Sequence, residues 1–293
     1  MAEHQLPKLV TGVRFPSPAL QRPAPDPSPI AARLRAAGCV FAEEEADLLL
    51  AEARGDERSL EAMLRRRESG EPLEYVVGWA ELAGVRVAVE PGVFVPRERS
   101  APLVAEAIAV LQRSGAKRPV VVDLCCGTGA IGAAIATALP GVELHAADLD
   151  AAAVSLTRRN LEPFGAEVHR GDLLDALPAD LRGRIDLIAA NAPYVPSSEL
   201  GLMPREARLY EPPWALDGGA DGLDPLRRIA VEAPGWLTAG GTVVVEAATD
   251  RAAEGAAAFA AAGFQARVVR SEELEVAVVV GSRRDSLSNL RDP

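Results

Sequence analysis

The sequence predicts an α/β fold, a doubly wound sheet with helices on both faces. Three observations predict it. From about residue 100 onward, short apolar runs alternate with helical segments, the pattern of a mainly parallel sheet. The run 120–124 opens through Gly127-Thr128-Gly129 into a helix starting near Ala130. The apolar run 185–190 ends in Asn191-Ala192-Pro193-Tyr194, so two strand ends of one sheet carry residues suited to chemistry.

The elements follow in order. Residues 1–29 contain Pro16, Pro18, Pro23, Pro25, Pro27 and Pro29 and lack periodicity, which predicts a disordered or extended leader. From Ile30 the pattern turns helical, with Leu34, Val40, Ala46, Leu49, Leu50, Leu60 and Leu64 at helical spacing. Asp56 or Ser59 can cap a helix running to Glu68, and Gly70 ends it. Residues 30–80 are read as a small helical domain. Residues 81–97 are read as a linking β-hairpin: 85–89 alternates like a half-buried strand, 92–95 is its partner, and Glu90-Pro91-Gly92 is the turn. Residues 98–293 form the main domain. Its strands fall at 120–124, 142–147, 167–170, 185–190, 242–246, 265–269 and 276–280. Its helices fall at 101–113, 130–139, 151–161, 224–237 and 250–262.

Bulk composition removes several classes. The chain of 293 residues is 48% hydrophobic, enough to bury a sizeable core, but only 4% aromatic, so Ala, Val and Leu must fill it. No apolar stretch approaches the ~20 residues of a membrane span, and the amino terminus has no secretory h-region. Three cysteines, two of them adjacent, make no disulfide framework, and a cytoplasmic protein is expected. A net charge of −11 argues against a nucleic-acid partner, whose affinity comes mainly from Lys and Arg contacts to phosphate. Arg65-Arg66-Arg67 is read as a solvated helix face.

The glycine turn is built for a ligand. Glycine lets the backbone approach closely, and the following helix amino terminus favours electron-rich groups. Asp148 closes the next strand, where a carboxylate can accept both hydroxyls of a ribose. Asp150 competes for that role, but Asp148 ends the apolar run. Asp172 follows the third strand, within reach of an adenine amino group. These residues suit an adenosine cofactor, and NAD and S-adenosylmethionine are both candidates. No metal is expected: Cys125 and Cys126 cannot both face one tetrahedral ion, and His145 and His169 are read as sheet packing.

Asn191-Ala192-Pro193-Tyr194 resembles the Asn/Asp-Pro-Pro-Tyr/Phe motif of methyltransferases that act on amide or exocyclic nitrogens. The flanks resemble the HemK-like protein-(glutamine-N5) methyltransferases. They are Glu71-Pro72-Leu73-Glu74-Tyr75-Val76-Val77-Gly78, Gly92-Val93-Phe94-Val95-Pro96-Arg97, the turn from Asp123 to Ile131, and Glu211-Pro212-Pro213 through Leu216, Gly218-Gly219 and Asp221-Gly222-Leu223. The resemblance implies a class I S-adenosylmethionine-dependent methyltransferase fold, a Rossmann-like seven-stranded sheet behind a small helical substrate-recognition domain. It implies glutamine methylation, typically in the Gly-Gly-Gln loop of peptide-chain release factors, which would be the protein partner. It assigns the cofactor to Asp123, Cys125, Cys126, Gly127, Thr128, Gly129, Asp148, Leu149, Asp172, Leu173 and Asn191. It assigns the substrate amide to Asn191, Ala192, Pro193 and Tyr194.

A primary amide nitrogen is a poor nucleophile because its lone pair is delocalised. Acceptors on its two N–H bonds, the Asn191 side-chain oxygen and the Ala192 carbonyl, would orient it and favour charge developing there. Tyr194 would pack on the planar amide. The chain departs from the family pattern at Ala192 for the first proline, at Cys125-Cys126 for Gly-Thr, and at Glu98-Arg99-Ser100-Ala101 for an acidic segment. It also departs after Glu246 and in the tail 271–280. The alternatives are an adenine-N6 nucleic-acid methyltransferase and a catalytically degenerate S-adenosylmethionine-binding paralogue. An NAD-dependent enzyme leaves residues 191–194 unexplained.

Overall fold

The computed structural model describes residues 27–283. The expected leader therefore lies outside the described residues except for 27–29, which begin the first helix. The chain divides into two compact units, one ending at Leu64 and one starting at Arg65. Among the described residues no helix is long and apolar enough to cross a membrane.

The first unit holds α1 (Pro27–Ala36), α2 (Ala42–Ala53) and the start of α3 (Glu57–Glu68). Leu34, Ala46, Leu49 and Leu64 are buried as their spacing leads one to expect, whereas Val40 falls in the turn between α1 and α2 and is 84% exposed. Asp56 caps α3, its Oδ1 accepting from the Arg58 N–H at 3.0 Å.

The second unit opens with the end of α3, α4 (Leu73–Val77) and an antiparallel hairpin of β1 (Trp79–Leu82) and β2 (Val85–Ala88). This corrects the hairpin expected from sequence. The partner of 85–88 precedes it, and the turn is Ala83-Gly84, both at positive φ (50° and 78°), a geometry that matches strand twist. Residues 92–95 form no strand; Val93 and Val95 are buried and Phe94 faces a pocket. The arginine run is only in part the solvated face expected: Arg65 and Arg66 are exposed and Arg67 is half-buried. Arg66 donates to the Tyr75 and Val76 carbonyls at 2.8 and 3.2 Å, and Arg67 to Glu206 at 2.7 Å.

The chain continues through α5 (Ala101–Ser114), β3 (Val120–Leu124), α6 (Ala130–Ala138), β4 (Glu143–Asp148), α7 (Ala151–Leu161), β5 (Glu167–Arg170) and β6 (Ile185–Ala190). It ends with α8 (Arg205–Tyr210), α9 (Asp224–Glu232), β7 (Leu237–Ala247), α10 (Ala252–Ala261), β8 (Phe264–Ser271) and β9 (Val276–Arg283). The strands form one seven-stranded sheet in the order β5-β4-β3-β6-β7-β9-β8. Pairing is parallel from β5 to β7 and antiparallel at β9 and β8. Alternate residues serve opposite faces: Val122, Ile188 and Val243 join one apolar cluster, Val121, Leu187 and Val244 the other.

This order makes a topological switch point. The chain leaves β3 outward through β4 and β5, then returns to β6 on the other side of β3. Leu124 pairs with Ala147 on one flank and Ala190 on the other. Cys125, Asp148 and Asn191 therefore leave the sheet at one level, at the carboxyl ends of the strands, where open α/β sheets bind ligands.

Candidate active site

A cavity of about 240 Å³ opens at this level. Cys125, Cys126, Gly127, Thr128, Asp148, Leu149, Asp172, Leu173 and all of Asn191-Ala192-Pro193-Tyr194 line it. Two residues expected at the cofactor, Asp123 and Gly129, do not. Asp123 is fully buried in β3, where its Oδ2 accepts from the Gly132 N–H at 2.8 Å and its Oδ1 has no partner. Burial, only partly offset by that bond, pushes its carboxyl up to about 8. Asp123 thus braces the turn from beneath. Gly129 has φ 78°, and a Cβ there would lie 2.9 Å from Thr157 Cγ2 on α7, so its role is close packing.

The turn is held from outside as well. The Thr157 hydroxyl donates to the Gly127 carbonyl at 2.8 Å, and the Gly127 N–H donates to Asp148 Oδ2 at 2.9 Å. Cys125 adopts φ 56°, the left-handed region that favours glycine. Burial, aided by the neighbouring aspartates, pushes both thiols up, so neither is a thiolate nucleophile.

Asp148 accepts from Gly127 through one oxygen and from the Asp150 N–H through the other, at 2.9 Å each. A carboxylate has about four lone-pair sites, so both oxygens can accept again from a ligand. Burial raises its pKa against these bonds. Asp150 serves the helix instead, its Oδ1 capping α7 by accepting from the Ala152 N–H at 2.9 Å. The exposed Leu149, next to Asp148, and the buried Leu173 also line the cavity. Asp172, also in the lining, is paired with Arg228 at 3.0 Å.

At the other end, residues 191–194 are fixed by the segment that follows α8. Val195 forms a parallel bridge with Asp217; its N–H donates to the Leu216 carbonyl at 3.0 Å and its carbonyl accepts from Gly218 at 2.8 Å. A Cβ on Gly222 would sit 2.3 Å from the Tyr194 carbonyl oxygen. The glycines of 218–222 therefore let this segment lie directly on the tetrapeptide backbone. A further tie joins Arg97 to Glu211 at 2.5 Å, linking the Pro96-Arg97 and Glu211-Pro212 motifs.

The orientation of Asn191 is set by residues far away in sequence. Its side-chain nitrogen donates to Ser100 Oγ at 3.3 Å. Ser100 in turn donates to Glu246 Oε2 at 2.6 Å, and the Tyr194 hydroxyl donates to Glu246 Oε1 at 3.2 Å. Arg99 Nε lies 3.7 Å from the same carboxylate. Burial pushes Glu246 up, and Ser100, Arg99 and Tyr194 hold it down. With its nitrogen engaged by Ser100, Asn191 keeps its side-chain oxygen free of protein partners at the cavity wall. The carbonyl of Ala192 likewise accepts no backbone bond. Sequence reasoning does not assign Ser100, Phe94, Glu246 or Arg228 to the site. Pro96-Arg97 and Glu246 mark two of their neighbourhoods, but nothing local marks the contact between them.

The sequence profile of the family described as "Methyltransferase small domain" matches residues 84–207. A release factor glutamine methyltransferase of Streptomyces coelicolor is 41% identical over 184 residues, 63% of this chain and 65% of that protein. The aligned region thus spans just under two thirds of that relative's length. One of Geobacter sulfurreducens is 35% identical over 223 residues, 75% of this chain and 76% of that protein. A ribosomal protein uL3 glutamine methyltransferase of Bordetella pertussis is 36% identical over 198 residues, 66% of this chain and 65% of that protein. Among solved structures, a release factor-specific protein-(glutamine-N5) methyltransferase of Alicyclobacillus acidocaldarius is 27% identical, with a TM-score of 0.41 over 67% of this chain and 98% of that one.

Proposed function

The chain belongs to the release factor glutamine methyltransferase family, the protein-(glutamine-N5) methyltransferases, and on that premise we propose that it methylates a glutamine side-chain amide with S-adenosylmethionine. The target in this reading is the Gly-Gly-Gln loop of a peptide-chain release factor, and the enzyme acts in the cytoplasm. One observation carries the reading: two unengaged acceptors, the Asn191 side-chain oxygen and the Ala192 carbonyl, stand at the strand end next to the Asp148 cradle.

The residues fit this cofactor. Asp148 presents acceptors to a ribose diol, and Leu149 and Leu173 offer apolar surfaces to a planar base. Asp172 remains at the adenine end, tied to Arg228. When bound, the cofactor supplies a methyl group made electrophilic by its sulfonium. Asn191 and Ala192 each accept one N–H of the substrate amide, which turns the nitrogen lone pair toward the cofactor end of the cavity. Such preorganised groups are typically worth ~3–4 kcal/mol each. Tyr194, held by Glu246, packs against the amide plane. The nitrogen would gain the methyl as the methyl–sulfur bond breaks, the electron pair leaving with the sulfur as a neutral thioether, and would lose one proton afterwards to water, so no general base is required. Placing both reactants in one cavity does much of the remaining work.

A net charge of −11 disfavours the adenine-N6 alternative. The test is transfer of labelled methyl to purified release factor and to a Gln→Ala variant of its Gly-Gly-Gln loop, with ribosomal protein uL3 in parallel. Label on the release factor and not on its variant supports the reading. Label on uL3 alone moves the substrate, and label on neither, with cofactor bound, favours a degenerate paralogue.

A further inference from the structure

The outer edge of the sheet carries a second cluster of chemistry-bearing side chains. His145 stands in β4, and Glu167 and His169 in the edge strand β5. The register sets His145 opposite Glu167 and Ala147 opposite His169, so all three side chains share one face. His145 Nδ1 lies 3.2 Å from His169 Nε2, with the rings stacked at 18°. One ligand atom from each of the three residues lies within 4.8 Å of the others. None of the three lines the methyl-transfer cavity.

We propose that His145, Glu167 and His169 bind a divalent transition-metal ion of zinc's kind. Two imidazole nitrogens and a carboxylate are a donor set zinc takes, with a water completing the tetrahedron. Two nitrogens each ~2.1 Å from a tetrahedral ion lie roughly 3.4 Å apart, close to the 3.2 Å observed. The surroundings favour ligation by His145 Nδ1. Its Nε2 is buried and has no hydrogen-bond partner, and Glu143 Oε1 lies 3.6 Å away. Coordination through Nδ1 places the ring proton on Nε2, facing that carboxylate. A carboxylate behind a ligating histidine is what orients such rings and raises their basicity. Glu143 is itself held by Arg184 at 3.1 Å. Glu167 is exposed and can swing to the ion without disturbing the core. The site would tie the edge strand β5 to β4, and it departs from the reading of the sequence that assigns no metal.

The test uses the full chain stripped with a chelator, titrated with zinc chloride and followed by calorimetry and thermal melting. One zinc per chain and a melting temperature that rises with zinc are expected, because an ion bound only by the folded state stabilises it by mass action. His169→Gln should weaken zinc binding at least tenfold, and Glu167→Gln by a smaller factor. Both positions are exposed or half-exposed, so both variants fold, and methyl transfer in both should match the wild type. Zinc binding equal in His169→Gln and wild type, or no binding at millimolar zinc, would overturn the proposal.

Discussion

Replacing Ser100 by alanine tests how the acceptor pair is aimed. The Ser100 hydroxyl accepts from Asn191 at 3.3 Å and donates to Glu246 at 2.6 Å. Glu246 is 1% exposed, so the variant leaves a buried carboxylate oxygen short of a donor, with Tyr194 and Arg99 still on the other oxygen. A hydrogen bond to a charged group is worth about 1.5–3 kcal/mol, which lowers the melting temperature by roughly 3–12 °C in a domain of this size. The effect on turnover has a different origin. Freed from Ser100, the Asn191 amide rotates, and its oxygen faces the cavity only part of the time. Removing such a group outright costs ~3–4 kcal/mol of transition-state stabilisation. Misorienting it costs a fraction, about 1.4–2 kcal/mol, which is a 10- to 30-fold loss in kcat. The assay is single-turnover methyl transfer at saturating cofactor, with cofactor Kd measured by calorimetry. The expected result is that kcat falls, Kd stays within about twofold, and Ser100→Thr, which keeps the hydroxyl, retains activity. A kcat within twofold of wild type in the folded Ser100→Ala protein would refute the positioning role.

Other outcomes follow from the same geometry. Asp148→Asn should weaken cofactor binding about 10- to 100-fold while sparing turnover at saturating cofactor; titration calorimetry with kinetics checks it. Burial holds Asp148 above the usual carboxylate range, so its charged form is lost early on acidification. Cofactor affinity should therefore fall as pH drops through that raised value, and the Asn variant should lack the dependence. Asp123 is pushed up to about 8 in the folded chain, against roughly 3.9 unfolded. The folded state keeps a proton that the unfolded state releases, so this contribution to stability is full below about pH 4 and is lost as pH rises toward 8. Denaturant melts of Asp123→Asn should show a flatter fall over that window than the wild type. Cys125→Gly relieves a side chain at φ 56° and should stabilise the fold by about 1 kcal/mol, read as a rise in denaturation midpoint; a lower midpoint would count against strain at the turn.

The parts of the fold that are legible in the sequence are those written in contiguous residues. The run 120–124, its glycine turn and the helix after it announce themselves through a switch of periodicity at Gly127 and Gly129. The run 185–190 does the same before Asn191. The hairpin is misleading because 79–82 and 92–95 both suit a strand beside 85–88, and Glu90-Pro91-Gly92 is a louder turn signal than Ala83-Gly84. Asp123 resembles a ligand residue because it stands near the end of an apolar run, yet its strand neighbours bury it completely. Arg66 and Arg67 read as surface because charge runs usually are; here nearby carbonyls and Glu206 engage them. The Ser100–Glu246 contact joins residues 146 apart and has no local signature. The glycines at 218–222 carry the resemblance, but their purpose, close approach to Tyr194, emerges only in three dimensions.

In the proposed function, labour is divided along one cavity, with Asp148 holding the cofactor and Asn191 aiming the substrate nitrogen. The most direct measurement is Asn191→Ala, assayed side by side for cofactor affinity by calorimetry and for methyl transfer to the protein substrate. The predicted result is that transfer falls by at least a hundredfold, the equivalent of about 2.7 kcal/mol, while affinity stays nearly unchanged. Equal loss of both would contradict it, because Asn191 would then be holding the cofactor and not the amide.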